Sequence, residues 1–126
     1  MTKAGGSPLV VLLARLTRLP HVRLATLATR EGLLVAAAGA SDGAELRSAT
    51  TAALFGALDR SMPSLQFGEL ESATVDTTAY TLFLRGVGGL VLTAVAERSA
   101  DRARIQAELG RVASVLARVD TAKQES

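Results

Sequence analysis

Apolar residues recur along this chain with two spacings, one typical of helices and one typical of strands. In residues 8–19 they recur every three or four positions, which predicts a helix with one apolar face. Ser7 supplies a hydroxyl N-cap, Pro8 stands at the first helical position, and Pro20 ends the helix. A last helix is predicted after Ser99 or Asp101, where apolar residues return to the helical spacing.

Five shorter apolar segments are predicted to be strands, and short connections make their sheet antiparallel. They are residues 22–28, 32–38, 69–77, 78–85 and 90–96. The last segment is continuously apolar, which is expected of a central strand covered on both faces. The third carries charges and hydroxyls, which suit an exposed edge that could accept a partner strand.

The longest apolar pattern, in residues 42–62, predicts a helix with two non-polar faces. The bulky face is suited to covering a sheet and consists of Leu54, Phe55, Leu58 and Met62. The second face consists of Leu46, Ala49, Ala53 and Ala57, with Ala52 and Gly56 beside it. Since small side chains let another backbone approach closely, we expect this helix to be covered twice, by its own sheet and by a second protein surface. Ser41 or Asp42 is expected to cap it and Pro63 to end it.

These elements predict an α/β fold, a five-stranded antiparallel sheet between helices in the order α-β-β-α-β-β-β-α. The long helix joins two hairpins, so it is expected to cover one face of the sheet while the terminal helices cover the other. We expect a single domain at residues 7–119, with flexible tails at 1–6 and 120–126.

Composition narrows the classes of function. The chain has 126 residues, a net charge of +2 and no cysteine. Its basic residues do not gather into one stripe, which argues against nucleic-acid binding. The apolar segment 8–14 is far shorter than a membrane span, which needs about 20 residues. Arginines follow it closely, which argues against a secretory signal sequence. We expect no membrane insertion and a cytoplasmic location.

No residue pattern predicts a catalytic, cofactor or metal site, and we expect a protein that is not an enzyme. The glycines of residues 86–89 precede a strand instead of a helix, so they indicate a hairpin turn and not a phosphate loop. Glu69 and Glu71 share one side of a strand without further metal-binding residues nearby, and a solvated edge explains them. His21 is the only histidine and is expected to be structural or exposed.

The chain resembles the roadblock / dynein light-chain family, whose fold is the roadblock/profilin-like sandwich. The likeness covers residues 22–119 and rests on the hairpin VRLATLATREGLLVAAAG, the helix 42–62 and the three-strand run FGELESATVDTTAYTLFLRGVGGLVLTAVAE. The usual acidic-glycine turn of the first hairpin is here Arg30-Glu31-Gly32, a mild departure. The resemblance implies a homodimer formed through the second helix and the third strand, where Ala73 and Val75 lie.

The resemblance also implies that the chain binds and regulates a Ras-like small GTPase. Charged residues around the second helix are then the candidates for contact, namely Glu45, Arg47, Asp59 and Arg60. Two other functions stay open. One is a structural assembly adaptor whose self-association, as a dimer or a filament, is the function. The other is a small-ligand sensor, because a sandwich of this size can hold a pocket.

Overall fold

The computed structural model describes the backbone of residues 7–39 and 43–125, and the side chains of this part except those of residues 44, 45, 48 and 120–125. Its elements are α1 (Pro8–Thr17), β1 (Val22–Thr29), β2 (Leu34–Gly39), α2 (Ala44–Leu65), β3 (Ser72–Asp76), β4 (Tyr80–Val87), β5 (Leu90–Glu97) and α3 (Arg102–Glu125). The predicted element order is confirmed. The expected tail at 1–6 lies outside the described residues. The expectation that Ser41 or Asp42 caps the long helix is wrong, because α2 begins at Ala44 and its N-cap is Gly43 in the left-handed conformation. Helix α3 continues to Glu125, past the predicted end of the domain at residue 119.

All five strands form one antiparallel sheet in the order β2-β1-β5-β4-β3. The prediction that the last strand is central is confirmed, since β5 pairs with both β1 and β4. The prediction that the third strand is an edge is also confirmed, since β3 pairs only with β4 among the described strands. The sheet therefore has two edges, formed by β2 and β3.

The sheet separates a larger core from a smaller one, as the predicted sandwich requires. Helices α1 and α3 cover one face, and the larger core there includes Leu13, Leu16, Leu27, Phe83, Leu92 and Leu109. Helix α2 covers part of the other face with a smaller core of Ala28, Ala52, Phe55, Leu84 and Val91. The alternation of side chains along each strand sends neighbouring residues into different cores, as with Val91 and Leu92.

The expectation that Pro63 ends the long helix is wrong. Helix α2 contains Pro63 and continues to Leu65, where Gln66 caps it in the left-handed conformation at φ 60°. Proline lacks the N–H that would bond to the carbonyl four residues earlier, so in the last turn it removes one hydrogen bond without stopping the helix. The Gln66 N–H then donates to the carbonyls of Met62 and Pro63 at 3.0 and 3.2 Å and closes that turn.

Several strand boundaries also differ from the sequence prediction, and those of β3 and β4 affect candidate residues. Strand β3 begins at Ser72, so Glu69 and Glu71 precede it instead of lying on it. Of the four residues predicted as a turn, Gly86 and Val87 belong to β4, and only Gly88 and Gly89 connect β4 to β5. A two-residue connection suits the twist of the hairpin when its first residue has positive φ, and Gly88 has φ 58°.

In the described part of the chain no helix has the length and apolar character that crossing a membrane requires.

Candidate interaction surface

Strand β3 presents one line of backbone groups to β4 and another to the outside. Thr77 N donates to the Tyr80 carbonyl at 2.8 Å, and Gly86 N donates to the Glu71 carbonyl at 3.0 Å. Since bonded and non-bonded pairs alternate in an antiparallel ladder, the N–H and C=O groups of Ser72, Thr74 and Asp76 point away from β4. No described strand pairs with them. They are available to an added strand.

The side chains of β3 also divide between the two faces of the sheet. Val75 packs against the smaller core under α2, and Ala73, two positions away, lies on the same side. Thr74 lies on the α3 side, where its Oγ1 accepts a hydrogen bond from Gln106 Nε2 at 3.3 Å. The predicted interface residues Ala73 and Val75 are therefore on the face that α2 partly covers.

The outward side of α2 is small and apolar in its middle. Ala53 and Ala57 are exposed, and Leu46, about two turns before Ala53 and three before Ala57, is 73% exposed. Leu54 is 39% exposed although the sequence placed it on the sheet-covering face. Of that bulky face only Phe55 is fully buried, while Leu58 and Met62 are half-buried.

Three other members of the predicted interface have contacts within their own chain. Ala52 is 1% exposed and belongs to the smaller core, so it faces the sheet and is not part of the outward surface. Ala49 packs against the first hairpin, where a Cβ on Gly32 would lie 3.2 Å from the Ala49 Cα. Gly56 lies under the Arg60 guanidinium, because a Cβ there would be 3.1 Å from a terminal nitrogen of that side chain.

The four charged candidates have different surroundings. The side chain of Glu45 lies outside the described residues. Arg47 and Arg60 are exposed, and neither has an ion-pair partner among the described residues. Asp59 forms an ion pair with Arg30, with a nitrogen–oxygen distance of 3.7 Å. Asp59 is thus partly engaged within the chain before any partner binds.

Arg30, which the sequence analysis placed only in a loop, connects three elements beneath the C-terminal half of α2. Its Nε donates to the Gly88 carbonyl at 2.8 Å, and its guanidinium lies 5.3 Å from the centroid of the Phe55 ring. Together with the Asp59 pair, these contacts join the β1–β2 loop, the β4–β5 turn and α2. No sequence pattern predicted this, because the three segments are far apart in the chain.

Two exposed carboxylates are held by basic neighbours away from α2. Hydrogen bonds from Arg23 and His21 lower the pKa of Glu97, with distances of 3.0 and 3.2 Å. Hydrogen bonds from Arg102 and Thr81 lower the pKa of Asp76. His21, which the sequence left as structural or exposed, is an exposed partner of Glu97.

The described residues hold no group of three or more metal-binding side chains. Gly88 and Gly89 form the hairpin turn between β4 and β5, whereas Gly86 lies within β4, and the Gly88 carbonyl accepts a hydrogen bond from Arg30. The predicted interaction surface remains the main candidate.

A cleft of about 830 Å³ lies between the first half of α2 and the sheet. Leu24, Leu82 and Val95 form its apolar floor, contributed by β1, β4 and β5, and the predicted interface residue Leu46 of α2 also lines it. Arg23, Arg47 and Tyr80 add polar groups to its lining. A sandwich of this size can hold a pocket, but the sequence does not predict where, because periodicity gives no information on how far a helix stands from its sheet.

The family model described as the Roadblock/LC7 domain matches residues 9–97. The chain belongs to the Roadblock/LC7 domain family. This confirms the resemblance drawn from the two hairpins and the long helix. No functionally curated protein matches the sequence.

Solved structures of Roadblock/LC7 proteins share the fold over most of the chain. A Roadblock/LC7 domain from Streptomyces avermitilis is 25% identical and has a TM-score of 0.81, covering 91% of this chain and 99% of that chain. MglB from Myxococcus xanthus is 15% identical with a TM-score of 0.85, covering 93% and 98%. The gliding protein MglB from Thermus thermophilus is 18% identical with a TM-score of 0.80, covering 94% and 93%. At the lower identities the likeness shows the fold alone.

Proposed function

We propose that this Roadblock/LC7 chain is a homodimeric interaction module that binds and regulates a Ras-like small GTPase. One observation carries the proposal. The chain itself covers neither the open edge of β3 nor the small outward side of α2. The two surfaces are neighbours, because Val75 of β3 packs against the smaller core to which α2 contributes Ala52 and Phe55. A second copy can add a strand and a helix there together.

The outward backbone groups of β3 support one register for the proposed dimer, the one that pairs all of them. Two-fold symmetry centred on Thr74 pairs Ser72 of each copy with Asp76 of the other, so that all three outward residues bond across the edge. The same register sets Ala73 opposite Val75 on the α2 side. The apolar pair of Ala73 and Val75 would stabilise the added strand pairing, and no like charges would face each other in this register.

The dimer would present two copies of α2 on one surface. Arg47 and Arg60 are exposed there, so they are suited to acidic groups on the GTPase, whereas Asp59 would have to share its carboxylate with Arg30. We propose that the module acts by positioning the switch loops of the GTPase and performs no chemistry itself. It needs no cofactor for that role.

The dimer is tested with Ala53→Glu, which places a charge in the outward side of α2. Ala107→Glu is the matched control, because Ala107 is also exposed but lies on α3, across the sheet. By light scattering after size exclusion, the native chain and A107E are expected at twice the 13.0 kDa chain mass, and A53E at the chain mass. A dimeric A53E would contradict the proposed interface.

GTPase binding is tested first by capture from host lysate with GDP or a non-hydrolysable GTP analogue, and then with the purified GTPase. Calorimetry is expected to show tighter binding to the GTP-analogue form. Equal affinity for both forms, or none for any Ras-like GTPase, would overturn the proposal.

The absence of chemistry is tested separately with Arg47→Ala and Arg60→Ala. Each substitution is expected to weaken binding of the GTPase. If the native chain changes the rate of GTP hydrolysis, each variant is expected to change it equally once the variant is present at a saturating concentration. Loss of that effect with binding intact would instead assign a catalytic group to the chain, since an arginine supplied in trans can contribute about 10³-fold or more to hydrolysis.

A second candidate function, a structural assembly adaptor, is favoured by the other sheet edge. Leu33 and Val35 are 69% and 43% exposed at β2, so a dimer joined at β3 would still expose a strand edge at each end. One MglB structure is described by its tetrameric arrangement, with 19% identity to this chain. An adaptor that assembles through both edges predicts a mass that grows beyond the dimer with concentration and returns to the dimer in Val35→Glu. A mass that stays at the dimer would exclude the filament form of the adaptor.

A further inference from the structure

The cleft between α2 and the sheet adjoins the proposed interaction surface, because Leu46 and Arg47 of α2 are among its lining residues. Its volume of about 830 Å³ lies within the range of about 300–1,000 Å³ that small-molecule sites occupy. Its floor is apolar, formed by Leu24, Leu82 and Val95. Such a floor takes up a hydrocarbon chain, because transfer of apolar surface out of water is favourable.

The charged residues described in the lining of the cleft are both basic. They are Arg23 and Arg47, and none of the lining residues that the structure describes is acidic. Arg47 has no ion-pair partner among the described residues. Arg23, in contrast, already donates a hydrogen bond from one guanidinium nitrogen to the Glu97 carboxylate at 3.0 Å. An anionic group at this place would be bound mainly by Arg47, since a guanidinium binds a carboxylate through two parallel hydrogen bonds.

We propose that the cleft binds an aliphatic carboxylate, with the hydrocarbon chain on the apolar floor and the carboxylate at Arg47. Binding of this ligand is a function beyond the GTPase module, and it gives the chain a means of sensing a small molecule. A cationic amphiphile does not fit, because Arg23 and Arg47, the charged residues described in the lining, would repel it.

The chain carries its own reporter for the test. Tyr80 is the only tyrosine, there is no tryptophan, and Tyr80 lines the cleft. Titration of the full chain with decanoate is therefore expected to change the tyrosine fluorescence with saturation. Decanol and decyltrimethylammonium, which have the same chain length with a neutral and a positive head, serve as the comparison ligands.

Arg47→Gln is expected to weaken decanoate binding about tenfold and to leave decanol binding unchanged, because it removes only the charged hydrogen bonds. Arg104→Gln is the matched control, since Arg104 is exposed on α3, across the sheet. This variant should bind decanoate as the native chain does.

Three outcomes would overturn the proposal. They are an unchanged Tyr80 signal at millimolar decanoate, binding of the cationic amphiphile as tight as that of decanoate, and an Arg47→Gln variant with native affinity. Light scattering on the same samples shows whether a second copy fills the cleft instead. A Tyr80 signal that changes only when the dimer dissociates would assign the cleft to that second copy.

Discussion

The Arg30 guanidinium lies 5.3 Å from the centroid of the buried Phe55 ring, so a residue of the first hairpin loop contacts a core side chain of α2. The same guanidinium donates to the Gly88 carbonyl at 2.8 Å. Replacement by Met retains an apolar stem and removes both interactions. We expect Arg30→Met to lower the free energy of unfolding by about 1–2 kcal/mol, measured by urea denaturation.

Arg60→Met is the control for this prediction, since Arg60 is exposed and has no ion pair among the described residues. It should change the free energy of unfolding by less than about 0.5 kcal/mol. Equal effects of the two substitutions would show that Arg30 has no special stabilising role.

Gly86 is required for space beneath Phe55. A Cβ at this position would lie 2.9 Å from the Phe55 ring and 2.9 Å from an Arg30 nitrogen. We expect Gly86→Ala to destabilise the fold by about 1–3 kcal/mol, because it overpacks the smaller core. Gly89→Ala meets no atom within 4 Å and should be neutral or stabilising by up to about 1 kcal/mol. Thermal unfolding of both variants checks this, and a native-like G86A would contradict it.

Asp76 is expected to make the free energy of unfolding depend on pH in the acid range. Hydrogen bonds from Arg102 and Thr81, with a smaller contribution from the charge of Arg98, hold the pKa of Asp76 below its ordinary value. A depressed folded pKa adds stability above the unfolded value of about 3.9, and this stability is lost as the pH falls through the folded pKa. The difference in unfolding free energy between the native chain and Asp76→Asn should therefore shrink below about pH 3.9.

Urea unfolding between pH 7 and 2.5 measures this difference. Glu31→Gln serves as the control, because Glu31 is exposed in a loop and has no ion pair among the described residues. Its curve should run parallel to that of the native chain. An Asp76→Asn curve that also runs parallel would refute the assignment.

The outer edge of β3 can be blocked without disturbing its inner ladder. The Thr74 N–H points away from β4, so Thr74→Pro removes a group that the sheet of one chain does not use. We expect this variant to keep its fold by circular dichroism and to lose the dimer by light scattering. Gln106→Ala removes the hydrogen bond to the Thr74 hydroxyl and should remain dimeric. A dimeric T74P would mean that β3 does not join the copies.

The elements and their order could be predicted from the sequence because each depends on local periodicity. The continuous apolar run of β5 predicted its central place, and the polar character of β3 predicted an edge. Pro63 was interpreted wrongly, since a proline in the last turn removes one hydrogen bond and leaves the apolar contacts of the helix in place.

The surface was harder to predict than the fold. A helical wheel placed Ala52 beside the outward face, but the large Phe55 ring needs a small neighbour, and the structure buries both. The contacts of Arg30 and the lining of the cleft join residues that are distant in sequence. Such features depend on the height and tilt of α2 above the sheet, which no spacing of residues records.

The pairing of β1 with β5 also determines when the chain can fold. Val22 lies opposite Ala96, so the centre of the sheet joins the beginning and the end of the strand region. The first hairpin must therefore keep one edge open until β5 has been synthesised, and contacts of such long sequence separation slow folding. A nascent chain that stops before Leu90 would expose an open edge on both β1 and β4, and it would be a substrate for chaperones until its last strand arrives.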